Sequence, residues 1–329
     1  MLLHIGRDVA GAAVIVPAGA PPEDERSVAE ALTVDGVIGL IEQLPDRPLG
    51  IDASGGIRLS LAGQQDKLVL VKSSAGWAQP LFGFPSTTIL KPEPAKFPGL
   101  ATNELFGLTL AAEVGLQSAN ARIEHFGPHT LLAVDRFDRE HLDSSRVVRI
   151  HQEDVLTAAG YDPLHKYEYD DEYGRRGPTL RTIADLIITH LGIAQLGRLL
   201  DIVVFNLALG NADAHARNLS LLLAPDGSVA IAPLYDLVCT LLYPNTSTAL
   251  SQRIADQSDL QAVSFENVVE EATGWGLRQD AAIGRTRGIL NSINASLDTT
   301  LSMTRDAGGS EEILDHLRTI VLKRVAILS

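Results

Sequence analysis

The chain has 329 residues, 45% of them hydrophobic, enough to fill one large or two medium cores, and no apolar run long enough for a membrane-spanning helix. Its 41 acidic and 27 basic residues leave a formal net charge of −14, which disfavours direct nucleic-acid binding as the main activity; the mild basic cluster YGRRGPTLR (173–181) reads as a solvated loop. A single cysteine, Cys239, excludes an internal disulfide and a multi-cysteine zinc site, and MLLHIGRDVAG lacks the pattern of a secretory signal, so a cytoplasmic chain with no membrane partner is expected.

In chain order, VAGAAVIV (9–16) reads as a strand, and the connector PAGAPPEDE leads into a helix or helix pair over 24–44. IRLSLAGQQDKLVLVKS (57–73) reads as a hairpin with a glycine-containing tip, and STTILKPE (86–93) as a strand closed by Pro92. LATNELFGLTLAAEVG (100–115) has the apolar spacing of a helix with Gly115 as its stop, and the strands ANARIEHF and HTLLAVDRFD follow. Residues 57–140 are thus expected to form a mostly antiparallel sheet carrying one helix. From about residue 151 the pattern turns helical, with GIAQLGRLLDIVVFNLALG (192–210) a strongly apolar helix ending at Gly210. LSLLLAPDGSVAIAPLYD (219–236) reads as a hairpin around Pro-Asp-Gly, and the tail from 247 as helices, the last one amphipathic over 309–328. The expected class is α+β, with a β-rich lobe over 1–140 and a helical lobe over 141–329.

The polar residues of GNADAHARN (210–218) and APLYDL (232–237) stand out against that frame. Phosphoryl transfer needs a carboxylate to accept the proton of the attacking hydroxyl, and oxygen ligands for Mg2+ on the nucleotide phosphates. Asp213, Asn218 and Asp236 supply that set, and the spacing of five from Asp213 to Asn218 equals that of the protein-kinase catalytic loop. SLAGQQDK (60–67) offers small residues and backbone N–H groups for phosphates, and Lys91 in the next strand offers a point charge. Each motif alone has an ordinary reading as turn, cap or solvated charge; their order and spacing favour a kinase. His215 reads as a structural histidine orienting its loop, since no second histidine stands at metal-ligand spacing. RIHQED (149–154) reads as a helix start and packing, Glu104 as either a partner of Lys91 or a solvated helix-face residue, and GWG (274–276) and KYEYDDEYG (166–174) as loop or surface, the latter with an activation segment as its alternative. A small-molecule phosphotransferase of the same plan, or a catalytically silent module of a repressor complex, are the alternatives.

SLAGQQDKLVLV, TTILKPE, NELFGLTLAAEVGL, LLAVDRFDR, RIHQED, FNLALGNADAHARNLSLL and APLYDLVCT resemble, in order, the signature blocks of HipA-type serine/threonine kinases, the toxins of bacterial toxin–antitoxin systems. The resemblance runs from about residue 3 to residue 240, and GNADAHARN and APLYDL are its most specific blocks. It implies a two-lobed, protein-kinase-like fold that uses ATP and Mg2+. By the same match Asp213 is the catalytic base, Asn218 and Asp236 are the Mg2+ ligands and Lys91 binds phosphate. Ala62, Gly63, Gln64, Gln65, Asp66 and Lys67 become the phosphate loop, the backbone of Asp135 and Phe137 meets the adenine edge, and Ser60 is autophosphorylated. The implied substrate is an aminoacyl-tRNA synthetase, glutamyl or tryptophanyl first. The implied partner is a helix-turn-helix, HipB-like antitoxin through which any DNA contact would run. Family members usually carry one more strand-rich subdomain ahead of LLHIGRDVAGA. Its absence implies either a trimmed chain or a compact form resembling HipT, with a small HipS-like protein in that place. Gln64, where many relatives have a small residue, is expected to alter loop mobility.

Overall fold

The structure, a computed structural model, describes residues 6–21, 26–44, 65–142, 146–169 and 176–329. The chain divides into two compact units, one of Met1–Ala101, Ala119–Glu153 and Leu222–Ser228, the other of Thr102–Ser118, Asp154–Leu221 and Val229–Ser329.

The first unit is built on a sheet. In chain order its elements are β1 (Val28–Ala31), α1 (Val34–Glu42), β2 (Leu68–Ser73), β3 (Gly76–Leu81) and β4 (Thr88–Pro92). After α2 (Leu100–Glu113), which belongs almost wholly to the second unit, come β5 (Ala121–Phe126), β6 (His129–Asp135) and the short β7 (Arg139–His141) and β8 (Val147–Arg149). Six strands pair antiparallel in the order β1-β3-β2-β4-β6-β5. Period-two alternation places Leu68, Leu70, Leu90, Leu131 and Ala133 in one core with Trp77, Phe126 and the helix residues Val37 and Ile41. Each buried Leu, Ile, Val or Phe among them contributes about 1.5–3 kcal/mol by leaving water. The same alternation carries Lys91, next to Leu90 and paired with Leu132, to the other face of the sheet.

Two expectations fail in this unit. Residues 9–16 form no strand; the backbone of Val9 and Gly11 bonds to buried side chains in place of a neighbouring strand. The Gly11 N–H donates to Asp138 Oδ2 (2.7 Å), and the Gly11 and Val9 carbonyls accept from Arg139 and Arg136 (3.0 and 3.1 Å). Gly11 itself turns at φ 73°, and a Cβ there would meet the Gln152 nitrogen at 2.8 Å. In place of a helix over 24–44, residues 28–31 pair with β3, and the helix starts only after Thr33, whose hydroxyl caps it by accepting from Gly36 N–H.

The second unit is mainly helical. Beyond β9 (His151–Asp154), which ends the first unit's stretch, come α3 (Val155–Ala158), α4 (Leu180–Leu191) and the buried α5 (Leu196–Leu209). The hairpin β10 (Ser220–Leu223) and β11 (Val229–Ile231) follows, with sheet order β11-β10-β9. Then come β12 (Ala249–Ile254), β13 (Gln257–Asp259), α6 (Phe265–Gly274), α7 (Gln279–Asp306) and α8 (Glu311–Ile327). The tail is therefore not purely helical: β12 and β13 pair around Ala255, a non-glycine residue at φ 51°. In GWG, Gly274 and Gly276 are exposed, as expected, but Trp275 between them is buried at the end of α6, where its indole N–H donates to Glu271 (2.8 Å). Among the described residues no helix is long and apolar enough to cross a membrane.

Candidate active site

Gly210 ends α5 in the left-handed conformation (φ 84°), which turns the chain sharply out of a buried helix. A chain of amides then sets the next residues: the Asn206 amide donates to Ile202 O (2.9 Å), Asn211 donates to Asn206 Oδ1 (2.8 Å), and the Asp213 N–H donates to Asn211 Oδ1 (3.1 Å). Asp213 is exposed at the tip of this turn. Its carbonyl accepts from His215 N–H (2.8 Å) and from the Asn218 side-chain amide (3.0 Å). The second bond commits the NH2 of Asn218 to the loop and leaves its amide oxygen for a ligand. The spacing of five thus closes a compact turn with the carboxylate and the amide on it.

His215 is buried, as its reading as a structural residue requires, and its ring packs edge-on against Tyr167 (centroids 5.7 Å apart). Burial lowers its pKa despite the opposing pull of Asp213, so the ring is neutral at physiological pH. Asp154 caps α3 (2.7 Å to Thr157 N) and approaches Arg217 of the loop at 3.6 Å.

Asp236 emerges after the β10–β11 hairpin at φ 58°, a conformation that costs a non-glycine residue energy and gathers at functional positions. It is held on both flanks. Before it, the Tyr235 hydroxyl donates to Arg217 O (2.6 Å) and meets Ser220 Oγ at 2.7 Å, tying the hairpin to the loop; burial raises the pKa of this phenol. After it, Asn103 of α2 brackets Cys239, accepting from its N–H (2.8 Å) and donating to its carbonyl (3.0 Å). Thr240 N–H and Oγ1 both reach Gly210 O (3.0 and 3.1 Å). α2 comes so close here that a Cβ on Gly107 would lie 2.1 Å from Leu237 O. Asn206, Asn211, His215, Asn218 and Asp236 line one cavity of about 70 Å³ within the second unit.

An Asn amide oxygen and an Asp carboxylate are hard donors of the kind Mg2+ prefers. Among the described residues no group of three or more His, Cys, Asp or Glu side chains forms a self-sufficient metal cage. A cation here would need further oxygens, which nucleotide phosphates provide.

In the first unit, Lys91 is half-buried on β4 and Gln65 donates to Pro92 O (3.0 Å), tying the end of the loop to that strand. Asp66 is exposed and Lys67 buried. Ser60, Ala62, Gly63 and Gln64 lie outside the described residues. The Asp135 N–H is spent on Asn120 O (2.8 Å), and its carboxylate on Arg122 (2.9 Å), so a nucleotide edge could use only its carbonyl. Asp135 and Phe137 are half-buried while Arg136 and Asp138 are buried, so the two pairs take opposite sides of the chain. The sequence reading missed Tyr167, whose hydroxyl donates to Asp213 Oδ1 at 3.0 Å. It also missed Asn103, Asn206 and Asn211, all buried; of these only Asn206, an amide inside the apolar run VVFNLAL, carried a signal that could have marked it.

A carboxylate and an amide on one turn, a second carboxylate after a hairpin, and a lysine on an antiparallel sheet are the parts of a protein-kinase-type phosphotransferase. Residues 59–297 match the family model described as HipA-like C-terminal domain. The chain is 34% identical over 328 residues to the protein Y4mE of Sinorhizobium fredii, covering 97% of this chain and 74% of that one. It is 32% identical over 334 residues to the serine/threonine-protein kinase toxin HipA of Shewanella oneidensis, covering 98% and 76%. In structure it is similar to HipA in the complex of Shewanella oneidensis HipA, HipB and operator DNA, with a TM-score of 0.85, 29% identity and coverage of 99% and 78%. The Helicobacter pylori proinflammatory kinase CtkA, at TM-score 0.53 and 15% identity over 84% of this chain and 92% of its own, shares the fold alone. The chain belongs to the HipA family of serine/threonine kinases.

Proposed function

We propose that this protein is the toxin kinase of a toxin–antitoxin pair, transferring the γ-phosphoryl group of ATP to a serine of an aminoacyl-tRNA synthetase in the cytoplasm. The observation that carries the reading is the turn that fixes Asp213 and Asn218 beside the cavity to which Asp236 also contributes. Asp213 accepts the proton as the acceptor Oγ attacks the γ-phosphorus, while the bond from that phosphorus to the bridging oxygen breaks and ADP leaves. Bound Mg2+, held by the Asp236 carboxylate and the Asn218 amide oxygen, would neutralise charge on the β- and γ-phosphates. Lys91 and residues 62–67 bind phosphate oxygens, and the backbone at Asp135 and Phe137 receives the adenine. Ser60 is the autophosphorylation site: a phosphate there adds about −1.5 to −2 charge beside the nucleotide and expels it.

A HipB-like antitoxin is the expected partner, by analogy with the Shewanella complex, and a net charge of −14 leaves DNA contact to that partner. A small HipS-like protein is a further candidate partner. Incubation with γ-labelled ATP and bacterial lysate should label a synthetase band, and mass spectrometry of the chain itself should place a phosphate on Ser60. Label in a metabolite alone would point to a small-molecule phosphotransferase, and no label at all would remove the kinase reading.

A further inference from the structure

Asp213 has two carboxylate oxygens, and in the reaction above only one is needed by the acceptor hydroxyl. The other, Oδ1, already takes a hydrogen bond from the Tyr167 phenol (3.0 Å). Tyr167 comes from a segment 46 residues earlier that is fastened to the catalytic loop and to β12 through its main chain. The carbonyl of Lys166 accepts from Ala216 N–H (3.3 Å) and from the Gln252 amide (3.3 Å). The Tyr167 carbonyl accepts from Gly177 N–H (3.0 Å), the Glu168 N–H donates to Ser251 O (2.8 Å), and the Glu168 carboxylate accepts from Arg253 N–H (2.7 Å). Gly177 lies so close that a Cβ there would stand 2.0 Å from the His165 carbonyl oxygen and 2.4 Å from that of Tyr167. The ring itself packs edge-on against buried His215, two residues beyond the carboxylate it serves.

We infer that Tyr167 is a positioning residue for phosphoryl transfer: its phenol holds Oδ1 of Asp213 so that Oδ2 is presented to the acceptor hydroxyl. The inference rests on the kinase reading. A hydroxyl that merely stood in for substrate would have to move away in each turnover. This one is carried by backbone bonded at Lys166, Tyr167 and Glu168 and by a ring seated on the loop it contacts. A third group that orients the base is a recurring requirement of activated hydroxyl chemistry, and small errors in such orientation are costly in rate. No proton leaves Tyr167; the proton of the acceptor goes to Oδ2.

Tyr167→Phe in the full chain removes one oxygen and keeps the ring. Single-turnover transfer of labelled phosphate to lysate protein, at saturating Mg-ATP, should slow about 10- to 100-fold, while nucleotide affinity by calorimetry and the thermal midpoint stay at wild-type values. In an Asp213→Asn background the same substitution should change the residual rate less than twofold, because the oxygen it orients has gone. A Tyr167→Phe rate within twofold of wild type, or above it, would overturn the inference, the latter identifying the phenol as an obstacle to substrate. Equal losses in both backgrounds, or a parallel fall in nucleotide affinity and thermal midpoint, would show a general structural role and overturn it too. A wild-type chain that labels no protein would instead refute the kinase reading, and the inference with it.

Discussion

At the scale of single residues, Asp236 and Asp213 are predicted to fail in opposite ways. Asp236 occupies φ 58°, a region that Asn tolerates almost as well as Asp and that β-branched residues avoid. Asp236→Asn therefore keeps the backbone and removes one charge, and Mg-ATP affinity measured by calorimetry should drop at least tenfold. Asp213→Asn should leave that affinity within a few-fold and lower the transfer rate by about 10^2 to 10^4, the usual contribution of a general base; a rate within a few-fold of wild type would refute its role. Both could be singled out as candidates from the sequence, because an Asp and an Asn five apart and an Asp after a Pro-Asp-Gly hairpin are local patterns. Tyr167 could not, since it reaches Asp213 only through pairing of its segment with β12 and the loop, and KYEYDDEYG carries no periodicity that would announce a buried edge. The amide chain Asn206–Asn211–Asp213 was half legible: the residues are plain in VVFNLALGNAD, their bonding is not.

Among the elements, α2 illustrates what a hydrophobic pattern conveys and what it omits. Its apolar spacing and its stop at Gly115 (φ 84°) agree with the sequence reading, whereas its service to the segment after Asp236 depends on Gly107 and Asn103, which look unremarkable in NELFGLTL. Gly107→Ala would place a methyl carbon 2.1 Å from Leu237 O, so the helix or the segment after Asp236 must shift. Overpacking of this kind costs about 1–3 kcal/mol, and here it moves the backbone that carries Asp236, so both unfolding midpoint and Mg-ATP affinity should fall. Gly39→Ala in α1 is the control: its Cβ meets nothing within 4 Å, and the change should be neutral or stabilise by up to about 1 kcal/mol. Equal effects of the two substitutions would refute the assignment of Gly107. The N-terminal run VAGAAVIV shows the converse failure, β-rich composition whose backbone partners turned out to be arginine and aspartate side chains from residues 136–139. No local pattern reveals partners more than a hundred residues away.

For the molecule as a whole, that same buried network sets a pH limit. Asp8 and Asp138 face Arg136 and Arg139 with all four side chains almost fully buried. Burial alone would raise the pKa of Asp138, but Arg136 and then Arg139 outweigh it and hold the carboxyl below its usual value. Burial, with Arg136 alongside, pushes Arg139 down to about 10, still charged at neutral pH. A carboxyl with a depressed folded pKa contributes stability that is complete above its unfolded value of 3.8 and is lost as pH falls through the lower, folded one. Stability should thus fall as the pH drops below about 4, and Asp138→Asn, which leaves buried guanidinium charge uncompensated, should cost about 3 to 5 kcal/mol at pH 7. Urea denaturation from pH 7 to 3 checks both, and a variant as stable as wild type at neutral pH would refute the network's role. The chain has two tryptophans, Trp77 on β3 of the first unit and Trp275 at the end of α6 in the second. Evolution has in effect wired each half of this kinase with its own fluorophore. Replacing either indole with phenylalanine turns emission into a dial for the other half alone, so two single-tryptophan variants together show whether acid, urea or nucleotide loosens one unit before the other.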